Sequence, residues 1–140
     1  MKDFHRLQVW RKAHSFTLMA YRVTAAFPKH ELFGLTSQLR RASASIAANI
    51  AEGCGRTGNA EMLRFLNMAQ GSASEVQYHL LLCRDLGYLG AQQYNALGDA
   101  AGEVKRMLGG LITKIREDKK SAGFNPVADC CLLIAIMVVR

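Results

Sequence analysis

Residues 62–83 read MLRFLNMAQGSASEVQYHLLLC, and apolar side chains recur through them at Met62, Leu66, Ala69, Ala73, Val76, Leu80 and Cys83. The steps alternate between four and three residues, about 3.5 on average, which keeps one apolar seam turned toward a neighbouring helix. A half-buried strand would alternate at every second position, and this stretch does not. Tyr94, Leu97, Ala101, Val104, Leu108, Leu111 and Ile115 follow the same rhythm. Upstream, Leu32, Leu35, Leu39, Ala42 and Ile46 repeat it and continue to Asn49 and Gly53; Val9, Ala13, Phe16, Ala20, Val23 and Phe27 do so again.

Breakers separate these segments. Pro28 ends the first, and Lys29-His30 turns into the second. The run from Cys54 to Gly58 breaks the second, with Asn59 expected as the cap of the third and Glu61 in its first turn. LGYLG at 86–90 divides the third from the fourth. Four amphipathic helices on short connections predict an all-α fold, an antiparallel up-down-up-down four-helix bundle. The bundle is expected over residues 1–118, with an atypical tail at 119–140.

Length and composition agree. The chain's 140 residues suit one domain, half of them are apolar and 21% are charged, which excludes a disordered or collagen-like chain. Pro28 and Pro126 are the only prolines, so long helices meet few interruptions. Gly71, Gly98, Gly102, Gly109 and Gly110 fall inside the last two helices, each costing about 1 kcal/mol relative to Ala. They signal either close approach of helices or subunits, or slack in a stable bundle. In the tail, Val127 to Val139 is apolar except for Asp129, thirteen residues in all. That is short of the roughly 20 needed to span a bilayer; such a segment docks on the bundle or a partner, or aggregates.

Charge is uneven. Of the net +7, residues 1–56 carry nine Lys/Arg against three acids (+6), and residues 57–140 nine against eight (+1). A basic half beside a neutral one points to an anionic partner such as nucleic acid, or to nothing more than a basic isoelectric point. Cys54, Cys83, Cys130 and Cys131 form no Cys-x-x-Cys pair, so neither a metal nor a cofactor is expected. The MKDFHR start lacks the apolar region of a signal peptide, which suggests a reduced, cytoplasmic protein that does not engage a membrane.

Candidate sites divide between chemical and structural readings. Gly53 to Gly58 matches G-x-G-x-x-G, yet it follows a helix rather than the strand of a dinucleotide fold. Backbone N–H groups at the next helix start, with Arg56, offer a phosphate site; a left-handed glycine closing the second helix is the plainer explanation. Arg40 and Arg41 follow Leu39 and so turn away from the seam. With Arg11, Lys12 and Arg22 on the first helix they form a candidate phosphate-contacting surface, or else a solvated face or intersubunit bridges. Few aromatics interleave with them in sequence, so base stacking is not indicated. Asn49 lies on a seam and needs a hydrogen-bond partner. Glu52 has no histidine nearby to support catalysis, His14 and His79 sit in no ligand motif, and Cys54 reads as a reactive thiol beside Arg56 or as a small residue in a tight corner. No enzyme signature emerges.

Taken together, Lys2-Asp3-Phe4, Val9-Trp10, GLTSQLRRA at 34–42, Ser45-Ile46, NIAEG at 49–53, Gly55-Arg56, RFLN at 64–67, AQGS at 69–72, Glu75 and DLGY at 85–88 closely resemble the family of four-helix bundles encoded in 23S rRNA intervening sequences. The resemblance covers about residues 1–118. It implies an antiparallel bundle assembling as a homopentamer. The sequence also looks like the accessory proteins of diversity-generating retroelements, which associate with nucleic acid and a reverse transcriptase. The family's recurring positions carry over as Gln38, Arg40, Arg41, Asn49, Glu52, Gly53 and Arg56. Cys54 stands where the family usually has an aromatic, and the tail is outside the family pattern.

The expectation is therefore a non-enzymatic bundle that forms a homo-oligomer and binds RNA or DNA. Arg40, Arg41 and Arg56, aided by Lys12 and Arg22, would neutralise phosphate, while Gln38, Asn49, Glu52 and Gly53 serve structure or assembly. The alternative is a protein-interaction scaffold without a nucleic-acid role.

Overall fold

A computed structural model of the chain describes residues 3–122; the Val127 to Val139 stretch lies outside the described residues. Four helices form in chain order: α1 (Gln8–Thr24), α2 (Leu35–Gly55), α3 (Asn59–Asp85) and α4 (Ala91–Ala122). Single 3-10 turns occupy Phe4–Arg6 and Lys29–Glu31, and there is no strand among the described residues. α1 meets α2, α2 meets α3, α3 meets α4 and α4 meets α1, whereas the diagonal pairs do not approach. That closed ring around one core is a four-helix bundle.

Contacts between consecutive helices run in opposite senses. Ser45 of α2 meets Ser72 of α3 at 2.9 Å, while Gly53, later in α2, lies against Phe65, earlier in α3. Thr17 reaches Ser43, whereas Arg40, earlier in α2, reaches Thr24, later in α1. Gln70 approaches Gly109, and Gln77 holds the earlier Lys105. Consecutive helices are thus antiparallel, and the α1–α2 and α3–α4 connections share one end. There the Tyr88 hydroxyl donates to Glu31 Oε1 at 3.1 Å, and the Phe27 and Tyr88 rings sit 5.5 Å apart.

The seam residues fill the core. Phe16, Leu39, Ile46, Leu66, Leu80, Leu97 and Leu108 are essentially inaccessible, and Ala13, Ala20, Ala69, Ala73 and Ala101 between them are fully buried. The alanines let the helices approach while the larger side chains interdigitate. α2 buries more than its expected seam: Thr36, Ser43, Ile50 and Cys54 are also inside, because it packs on α1 and α3 together.

The helix boundaries depart from the spacing at several points. α1 stops at Thr24, before Phe27 and Pro28, although Phe27 remains buried against Tyr88. Leu32, expected on the second seam, lies in the connection and is half exposed. In α4 the inward position is Ile112, with Leu111 half-buried, since an α-helix of 3.6 residues per turn drifts off a strict 3.5 repeat. Asn59 is the first residue of α3 rather than its cap, which is Gly58 at φ 91°. The left-handed glycine at that break therefore opens α3 instead of closing α2.

Two glycines have evident reasons. Gly87 (φ 77°) closes α3: its N–H donates to the Arg84 carbonyl at 3.0 Å and that of Tyr88 to the Cys83 carbonyl at 2.9 Å, the paired bonds of a Schellman motif. At Gly53 a Cβ would lie 3.1 Å from Phe65 Cβ, so the missing side chain is what lets α2 and α3 close on each other. By contrast, a Cβ at Gly71, Gly98 or Gly110 meets nothing within 4 Å.

Candidate nucleic-acid interface

Arg40 emerges from α2 on the side facing α1 and is held there. Its Nε donates to Thr24 Oγ1 at 2.8 Å, and its guanidinium carbon sits 4.7 Å from the centre of the Tyr21 ring. Thr24 Oγ1 in turn donates to the Ala20 carbonyl at 2.7 Å. The buried hydroxyl is satisfied and the guanidinium is locked in one orientation. Arg41, one position on, is turned about 100° around α2 and is exposed. It borders a shallow groove of about 620 Å³ between α2 and α3, together with Gln38, Ala42, Ala44, Ser45 and Glu75. Arg22 follows Tyr21 on α1 and is exposed; neither it nor Arg41 has an ion pair or hydrogen bond among the described residues. Arg22, Arg40 and Arg41 thus lie toward the end of the bundle that carries the two shared connections, with Arg40 on the α1 side of α2 and Arg41 on its α3 side.

The other two expected cations lie elsewhere. Arg56, just past the far end of α2, is sixteen positions beyond Arg40, about 24 Å at the helical rise per residue. Its guanidinium is paired with Glu52 one turn back and lies 5.1 Å from the Phe65 ring centre. Lys12 faces α4, with its ammonium 3.1 Å from Glu103. Both pairs are about half exposed, so each retains its charge near solvent at little energetic gain. The five cations do not form one patch.

Of the remaining positions, Glu52 pairs with Arg56 and Asn49 has its partners within the bundle. Asn49 Nδ2 donates to the Ser45 carbonyl at 2.8 Å and contacts Ser45 Oγ at 3.0 Å; that hydroxyl meets Ser72 Oγ at 2.9 Å. A polar chain therefore links α2 to α3 where the apolar rhythm lapses at Asn49. Gln38 is an exposed rim of the neighbouring groove.

Chemical alternatives find little footing. Cys54 is 1% exposed, which bars the contact with solvent that a reactive thiol needs; it fills the tight corner beside Gly53. Cys83 is also buried, and burial, with the charge of Glu31, pushes its thiol up to about 11, so it is protonated at neutral pH. His79 is buried with Nε2 3.2 Å from Glu75 Oε1, whereas His14 is exposed and stacked on Trp10. Among the described residues no three His, Cys, Asp or Glu side chains gather to hold a metal ion. No described helix is long and apolar enough to cross a membrane.

Sequence spacing missed four neighbours of the Arg40 end. Lys29 and Leu32, from the α1–α2 connection, share with Arg40 and Thr36 a depression of about 130 Å³. Tyr21 is 47% exposed beneath Arg40, and Phe33 is 94% exposed in the same connection. Tyr21 and Arg40 are nineteen positions apart, a separation that no local pattern bridges. The usable signal was Phe33 itself, an aromatic that no apolar seam claims.

The profile of the 23S rRNA-intervening sequence protein family matches residues 5–110. A solved structure from Bacteroides thetaiotaomicron VPI-5482, a protein of unknown function from the S23 ribosomal protein family, is similar with a TM-score of 0.68 and 26% identity. The match covers 74% of this chain and 97% of that one. No curated protein matches the chain.

Proposed function

The chain belongs to the 23S rRNA-intervening sequence protein family, and on that premise we propose that it is a non-enzymatic, cytoplasmic bundle that binds nucleic acid through phosphate. The observation carrying this reading is the Arg40 guanidinium held in place by Thr24 and Tyr21, at the end of the bundle toward which the exposed Arg22 and Arg41 also lie. A guanidinium fixed before binding loses less side-chain entropy on meeting a phosphate than a free one does. Contacts of this kind anchor the backbone and do not read base sequence.

The same reading has copies of the chain assembling as a homo-oligomer, a pentamer, so that several basic ends act on one strand. A protein partner of the reverse-transcriptase kind fits the likeness to retroelement accessory proteins. Arg56 and Lys12 are auxiliary, because each already has a carboxylate beside it.

Replacing Arg40 and Arg41 together by Ala tests the assignment. Affinity for RNA and DNA should fall at every sequence, and the slope of log affinity against log salt should shrink by about 1 for each phosphate no longer neutralised. Sedimentation velocity on the same variant separates the scaffold alternative. If the oligomer dissociates while nucleic-acid affinity is unchanged, the arginines join subunits and the phosphate reading fails.

A further inference from the structure

We propose that the Arg40 end of the bundle takes single-stranded nucleic acid, with phosphates on Lys29 and Arg40 and an unpaired base on Phe33. The inference rests on the phosphate reading above and adds the strandedness of the ligand.

Phe33 is 94% exposed, the most exposed large apolar side chain among the described residues. It makes no contribution to the core, so its ring is available to a ligand rather than to folding. Leu32, the residue before it in the chain, lines one depression with Lys29 and Arg40, so the connection that carries Phe33 also borders two cations. Strand binders without sequence preference combine this way: a cationic track for the backbone, and aromatic faces on which splayed bases stack.

Duplex ligands fit less well. Bases in a duplex are stacked on one another and present no free face to Phe33. A surface reading charge alone would favour the duplex, whose charge density along its axis is higher. Preference for a single strand is therefore diagnostic of stacking.

The test measures the affinity of labelled oligouridine and of an RNA duplex of equal length, at one salt concentration, for the full chain and for Phe33→Ala and Phe33→Trp. Phe33 is exposed, so its truncation leaves the core intact. The full chain should prefer oligouridine. Phe33→Ala should weaken oligouridine binding about 5-fold or more, the low end for removal of one stacked base, leave the duplex unchanged, and be rescued by Phe33→Trp. If both ligands bind equally and Phe33→Ala changes neither, or weakens both alike, the single-strand inference is overturned while the phosphate reading stands. Binding to neither ligand overturns both.

Discussion

Glu31 shows how much one side chain can organise. Its Oε2 accepts the Leu35 N–H at 2.9 Å, capping α2 from four residues upstream, and its Oε1 accepts the Tyr88 hydroxyl from the other connection. Gly34 makes this geometry possible, since a Cβ there would sit 2.6 Å from Oε2. The Leu35 N–H, and then the Tyr88 hydroxyl, hold the carboxyl below its usual value of 4.5. A carboxyl with a depressed folded value contributes stability that is present above pH 4.5 and disappears as pH falls through that folded value. Glu31→Ala should lower the melting temperature at pH 7 and flatten the decline in stability below pH 4.5; thermal melts across that range would show both. An unchanged acid profile would mean the carboxylate is not the clasp described.

Among the helices, α3 and α4 carry glycines that the chain's own packing does not require. Gly110 is exposed and a Cβ there meets nothing, so Gly110→Ala should stabilise the fold by about 1 kcal/mol through helix propensity alone. Calorimetric melting checks this, and a drop in stability would place another surface against that face of α4. The helices themselves were legible because their seams are regular: every apolar position from Met62 to Cys83 named from spacing is buried. Their ends were not. Pro28 looked like the stop of α1, but the last turn is instead fixed by Thr24, whose hydroxyl serves the Ala20 carbonyl and Arg40 at once. At the α2–α3 break, Gly58 took the cap position that Asn59 would have filled by side-chain chemistry. Such outcomes depend on tertiary partners, which periodicity does not encode.

Across the whole molecule, antiparallel packing turns a basic half-sequence into separated sites. Arg40 and Arg41 were legible as turned off the seam by their place after Leu39, though Arg40 lies half-buried against α1 and only Arg41 faces solvent fully; their separation from Arg56 and Lys12 was not, since it follows from helix length and from the carboxylates opposite them. Likewise Lys29, Tyr21 and Phe33 join the Arg40 end only because α1 folds back on α2. Charge gathered at one end steers a polyanion to that end, and the proposed function depends on this more than on anything else. Titrating labelled RNA and DNA with the purified protein across a salt series puts it to the proof. Affinity should fall log-linearly and steeply as salt rises, as release of counterions from several phosphates requires. Absence of binding even at low salt, or an affinity indifferent to salt, would contradict it.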